Sequence, residues 1–422
     1  MWSMHFTRRL LAAGLAAFLW GTAVAAPAAA PPLTLEAAVR QGLARAPQLQ
    51  ARAADATAAR EEAVRAGRLP DPVLTFGLAN FPVTDPGAFS LRSDEMTART
   101  VGVMQAIPSR AARRAERDLA GARIDAAQAD HVATAQSVRE RIADAWIEAW
   151  AVERQRALLL DLHDEAALAV RIAQARLRGG EGSAVDALAA QAELATLGNR
   201  LDAVEADLAA AQAGLQRWLG TAPGALAANE DFSRLPVAAE RLVSGIDQQA
   251  PLQAWAARER LAQAALEQAR AAKRPDWSVS ASYGRRAPGL SDMVMLEVGV
   301  SLPLFTHDRQ DRGISARQAQ RDAAQADHED ARRAQRETVT RALASWQGWG
   351  RQLERYRQTL LPLARDRART ALAGYRGGGS LQPWLDARRA EIELRLNYVD
   401  ALAEHARLWA SLAYLLPSEV TP

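Results

Sequence analysis

Residues able to do chemistry are few and scattered in this chain. The six histidines, His5, His131, His163, His307, His328 and His405, have no metal-ligand spacing, and no phosphate loop, nucleophile elbow or zinc motif accompanies them. His307 with Asp308 and Asp311 is the nearest approach to a cluster, and a polar turn between a strand and a helix accounts for it. The methionines, Met1, Met4, Met96, Met104, Met293 and Met295, form no metal relay. Met293 and Met295 do fall on one face of an expected strand, where a thioether either fills space or suits a soft cation. Cysteine is absent, which excludes disulfides, thiolate metal sites and a lipid carried on an N-terminal cysteine. The expectation is therefore no enzyme, no cofactor and no metal centre.

Two glycine clusters say more. Arg178-Gly179-Gly180-Glu181-Gly182-Ser183 and Arg376-Gly377-Gly378-Gly379-Ser380 each close a very long helical pattern, after which a second helix returns. Glycines let a helix end and reverse with its backbone exposed, so such tips could seat another helical hairpin, with Arg178, Arg376, Ser183 and Ser380 as donors. The long patterns are Ser109 to Leu177 and Gly313 to Tyr375. At 1.5 Å per residue each is roughly 95 to 100 Å long, too long for a compact domain. In the first, Val138, Ile142, Ala145, Ala149, Val152, Leu159, Ala166, Val170, Ala173 and Leu177 keep the three- and four-residue steps of a coiled-coil seam. Pro362 should kink the second.

Between the helices lie two pairs of alternating stretches: Val73 to Phe81 with Thr97 to Ile107, and Trp277 to Gly284 with Met293 to Leu302. Trp277, Val279, Ala281 and Tyr283 point one way while Ser278, Ser280 and Ser282 point the other; Val294, Leu296, Val298 and Val300 oppose Met293, Met295 and Glu297. One face suits lipid and the other water. A tilted spanning strand needs about 9 to 11 residues, and known barrels start at about eight strands. Four strands cannot close alone, so spanning requires several copies around one pore.

The chain carries a formal charge of +3, and Arg8 and Arg9 supply two of those charges. They precede the apolar run Leu10 to Trp20 and Ala23-Val24-Ala25, read as a cleaved secretory signal over residues 1–25. The remaining balance of about +1, by subtraction, gives no reason to expect nucleic acid. Two repeats are expected, 26–219 and 248–416, joined by a Pro-, Gly- and Ala-rich belt at 220–247 and followed by a tail at 417–422. Ala46-Pro47-Gln48-Leu49 and Ala250-Pro251-Leu252-Gln253 open a shorter helix in each, and Leu69-Pro70-Asp71 and Arg274-Pro275-Asp276 end it. Stacked end to end, Ala184 to Leu219 and Gln248 to Lys273 would match the first long helix; Leu381 to Leu415 with Gln48 to Leu69 would match the second.

These residues resemble the TolC family of outer-membrane efflux channels, over nearly everything after the signal. The resemblance lies in Leu33-Thr34-Leu35-Glu36-Ala37-Ala38 before Ala46-Pro47-Gln48-Leu49, Leu69-Pro70-Asp71-Pro72 before the first strand, Gly299-Val300-Ser301-Leu302-Pro303-Leu304-Phe305 at the end of the fourth, and Tyr375-Arg376-Gly377-Gly378 with Trp384-Leu385-Asp386-Ala387 at the second tip. It implies a mainly α fold with membrane β: long antiparallel coiled-coil helices forming an α-barrel tunnel, and four strands per chain in a trimeric twelve-stranded β-barrel. It also implies a homotrimer in outer-membrane lipid, served by a periplasmic adaptor at the glycine tips and an inner-membrane pump of the RND type. Asp386, with Asp186 as its counterpart in the first repeat, falls near the family's acidic periplasmic constriction, where three copies would form an anionic ring; Pro383 stands where a second acidic residue is often found. Asn80-Phe81-Pro82-Val83, Asp94-Glu95-Met96-Thr97 and Val101-Gly102-Val103-Met104-Gln105 are similar to members serving heavy-metal resistance pumps. A periplasmic coiled-coil scaffold, or an adaptor, is the alternative; an adaptor would need lipoyl-like β-domains that the pattern lacks.

Overall fold

The structure is a computed structural model, and it describes residues 31–84 and 86–416. The signal over residues 1–25 and the tail at 417–422 lie outside the described residues. No described helix is long and apolar enough to cross a membrane.

The first repeat runs α1 (Leu35–Arg45), α2 (Pro47–Arg65), β1 (Val73–Ala79), β2 (Ala98–Ile107), α3 (Arg110–Arg178) and α4 (Ala184–Leu219). The belt holds α5 (Ala239–Ser244) and a 3-10 turn, Ile246–Gln248. The second repeat runs α6 (Ala250–Ala271), β3 (Asp276–Arg285), β4 (Met293–Ser301), α7 (Gln310–Arg355), α8 (Leu361–Arg376) and α9 (Gln382–Ala413). Local chemistry sets most helix starts. Pro47 and Pro251 open α2 and α6, where a missing N–H costs nothing. The hydroxyls of Thr34, Ser109 and Ser183 accept from backbone N–H groups of Ala37, Ala112 and Val185 and cap α1, α3 and α4.

The sequence reading missed α1, although Thr34 and the inward Leu35, Ala38, Val39 and Gly42 carry its signal. Pro362 is absorbed by a π-helical turn, Tyr356–Leu360, rather than by a sharp break: the N–H of Leu361 reaches back five residues to the Tyr356 carbonyl. A proline cannot donate to the carbonyl four residues back and its ring crowds it, so the helix widens just ahead.

Stacking of the shorter helices differs from expectation. In the half of α3 near the sheet, α2 and α6 flank it; in the half near its glycine tip, α4 and α9 do. Both α6 and α9 also lie along α7. The stacks are therefore α4 with α2, and α9 with α6, the reverse of the expected pairing. The belt dictates this. Leu33 forms a parallel bridge to Leu226, and Arg45 Nη1 donates to the Leu219 carbonyl at 2.9 Å, which docks the start of the first repeat on the end of α4. Leu242, Leu412 and Leu416 pack with Val339 and Leu343 of α7, holding the end of α9 beside the turn into α6.

At this level an aromatic chain crosses the molecule: Trp146 stacks on Trp150, and Trp150, Phe232, Trp409 and Tyr414 meet edge to face at 5.4 to 6.2 Å between centroids. The largest buried core is built around it.

The four strands form one antiparallel sheet in the order β1-β2-β3-β4, in which β1 and β4 are free edges. Leu74, Phe76 and Leu78 share a face with Val101 and Val103, with Trp277, Val279, Ala281 and Tyr283, and with Val294, Leu296, Val298 and Val300. The opposite face carries Thr75, Thr100, Met104, Ser278, Ser280, Ser282, Met293, Met295 and Glu297. Nothing among the described residues covers either face: Phe76 and Leu296 are each 77% exposed. At the foot of the sheet, Asp276 accepts from the Ser109 N–H at 2.7 Å and Lys273 meets Asp311 at 2.6 Å, tying strands to helices.

Candidate functional site

Three regions can act: the uncovered sheet, the glycine tips, and the acidic residues beside them. The sheet presents an apolar band bounded by aromatics. Trp277 and Tyr283 stand on the apolar face of β3, six residues and about 20 Å apart, at opposite ends of the strand. Aromatic girdles at both borders of an apolar band about 25 Å tall are the pattern of an outer-membrane barrel wall.

The tips are built as paired turns. Gly180 and Gly378 adopt φ of +76° and +98°, where a side chain would strain the backbone. A Cβ on Gly182 would lie 2.8 Å from the Leu177 nitrogen. Arg178 and Arg376 end their helices exposed, with Gly179 and Gly377 as caps. Ser183 caps α4, whereas Ser380 caps nothing; Leu381, fully buried, occupies the position before α9.

The two tips are fastened to each other through residues the sequence reading missed. The Arg176 guanidinium lies 4.6 Å over the Tyr375 ring and donates to the Tyr375 carbonyl at 3.1 Å. Val170, Ala173, Ala187, Ala190, Tyr375, Leu381 and Leu385 form one small core between the hairpins. Asp186 belongs to this fastening: its carboxylate accepts from the Leu381 N–H at 3.4 Å. Asp386 is half-exposed, accepts from Gln382 Nε2 at 2.9 Å and lies 3.9 Å from Arg389, itself paired with Glu193 at 2.6 Å. Asp186 and Asp386 are thus one turn into equivalent helices but serve different contacts.

Deeper along α9, Glu391 is 1% exposed and held between Arg388 at 2.6 Å and Arg395 at 2.5 Å, and Arg388 also reaches Glu165 of α3. The signal was present as arginines three before and four after the glutamate on one helical face. A groove of about 390 Å³ opens here between α3, α8 and α9, lined by Leu168, Ile172, Leu372 and Trp384 with Arg365, Arg369 and Arg376. The His307 cluster is a strand-to-helix turn: His307 pairs with its neighbour Asp308, and the Asp311 carboxyl is held below the usual range by hydrogen bonds from Lys273 and then Thr306. Among the described residues no group of histidine, aspartate or glutamate could hold a metal ion.

The profile of the outer membrane efflux protein family matches residues 38–221 and 245–417, which together make up most of the chain. The chain belongs to the outer membrane efflux protein family. No curated protein matches the sequence. A membrane protein of Pseudomonas aeruginosa superposes with a TM-score of 0.78 at 20% identity, covering 90% of each chain. The outer membrane protein VceC of Vibrio cholerae gives 0.77 at 19% identity, with 91% of this chain and 96% of VceC covered. OprN, an outer-membrane channel, gives 0.76 at 18% identity, with 92% and 91% covered. This is the fold of the outer membrane efflux channels: an α-barrel wall with four strands per chain of a trimeric β-barrel. Members of the outer membrane efflux protein family are passive channels rather than enzymes, and they work as homotrimers with an adaptor and an inner-membrane pump.

Proposed function

We propose that three copies of this chain form an exit duct through the outer membrane, which conducts substrate passively from a periplasmic adaptor and an RND-type inner-membrane pump to the exterior. The observation that carries this is the sheet. Among the described residues its apolar face is bare and its edges β1 and β4 are unpaired, and its other face is polar. In lipid each backbone group must be paired, so β4 of one copy has to meet β1 of the next until the cylinder closes. Three copies of four strands give twelve, within the range of known barrels.

In this reading the tips around Arg178 to Ser183 and Arg376 to Ser380 receive the adaptor, and the adjoining arginine-rich groove favours an adaptor helix that brings apolar and acidic side chains. Asp386 lines the constriction, where Arg389 would moderate the repulsion within a ring of three. Asp186, fastened to Leu381, would act there by holding the two tips in register. The sequence similarity to members of heavy-metal systems supports metal cations as the exported class. The test is reconstitution of the protein, purified from outer membranes, in planar bilayers. Stepwise single-channel conductance is expected. A protein that fractionates with the soluble periplasm and leaves bilayers unperturbed would overturn the reading.

A further inference from the structure

The methionines among the described residues stand outside the buried cores. Four lie among the described residues, Met96, Met104, Met293 and Met295, and all four are exposed. Methionine ordinarily fills irregular gaps in a core. Here none enters any of the four buried clusters, which use Ala, Leu, Val, Ile and aromatic residues instead. Three of the four are on strands, and the register puts all three on the wet face: Met104 pairs with Ser280, Met295 with Ser282 and Met293 with Gly284. Ser280 pairs in turn with Glu297, two residues beyond Met295 on the same face.

Residues two apart on a strand have Cα atoms about 6.5 to 7 Å apart and point the same way. The unbranched side chains of Met293 and Met295 can therefore bring two thioether sulfurs onto one ion. Their cross-strand partners, Gly284 and Ser282, are small and leave the space open. Thioethers select soft cations such as Cu(I), while Glu297 supplies negative charge beside them. We infer that the wet face of the sheet carries a weak site for soft monovalent cations, formed by Met293 and Met295 with Glu297. Met104 offers a further donor two strands away. Neutral donors with a single carboxylate attract an ion without trapping it, as passage through a pore requires. The inference rests on the channel reading and names the class of ion that the duct favours.

The experiment measures block of K⁺ current by Ag(I), a redox-stable soft cation, on the reconstituted assembly in nitrate electrolyte. Wild type is expected to show reversible block. Met293→Leu with Met295→Leu should keep the K⁺ conductance and raise the half-blocking Ag(I) concentration about tenfold or more, equivalent to about 1.4 kcal/mol. Na⁺ in place of Ag(I) should give no methionine-dependent effect. If the double variant fails to assemble, Met295→Leu alone must shift block in the same direction. Equal Ag(I) sensitivity in wild type and variant, or no block of a normally conducting wild type, overturns the site and leaves the duct standing. A wild type that conducts no K⁺ overturns both.

Discussion

Placing arginine at adjacent positions of β4 separates the two faces of the sheet by energy. Leu296 lies next to the centre of the strand, 77% exposed, between Val294 and Val298 on the apolar face and opposite Ala281. Glu297, the next residue, points to the wet face. An arginine on the lipid face at mid-depth costs about 2 to 4 kcal/mol in a barrel of this kind. Three copies enter together, so Leu296→Arg should cost the assembly about 6 to 12 kcal/mol, comparable with the whole stability of an ordinary domain. Glu297→Arg meets water and should cost close to nothing in assembly. The assay is the yield of heat-sensitive trimer in isolated outer membranes, backed by refolding into lipid vesicles. Leu296→Arg is expected to abolish the trimer and Glu297→Arg to retain it. Equal yields, or the reverse order, would refute the assignment of lipid and water faces.

Three further outcomes follow from the tips and the belt. Gly179→Leu meets only ordinary van der Waals contact and keeps an unstrained φ, so it should weaken crosslinking to the adaptor in correctly assembled trimers; Gly378, at φ +98°, would confound the same test with backbone strain. Asp386→Asn should lower cation preference and conductance in planar bilayers, and unchanged values would remove Asp386 from the constriction. His405, stacked on Trp346, is pushed below its ordinary pKa by burial and by Arg357, with Asp231 opposing. The unfolded chain then binds the proton first as pH falls, so thermal stability should decline from about pH 6.5 downward, and His405→Gln should flatten that decline.

The architecture was legible where a signal is local. Alternation located all four strands to within two residues at each end, as in Trp277 to Gly284 against the observed Asp276–Arg285. The glycine clusters ended the long helices and the prolines opened the shorter ones, since Gly180, Gly378, Pro47 and Pro251 act through their own backbones. What escaped depends on residues far apart in the chain. The stacking partner of α4 is set by Leu33 meeting Leu226 and Arg45 reaching Leu219, and that of α9 by Leu412 and Leu416 packing with Leu242, contacts with no local mark in sequence. Asp186 and Asp386 read as counterparts by the family resemblance, yet of the two Asp186 finds a backbone N–H on the other hairpin. Arg176 over Tyr375 and the reach of Arg388 to Glu165 likewise needed the packed helices to become visible.

The most direct test of the account is the mass of the assembly extracted from outer membranes in mild detergent, measured by native mass spectrometry. Three chains per particle are predicted, because three sets of four strands complete the cylinder. A single chain, stable in solution with the sheet uncovered, would contradict it.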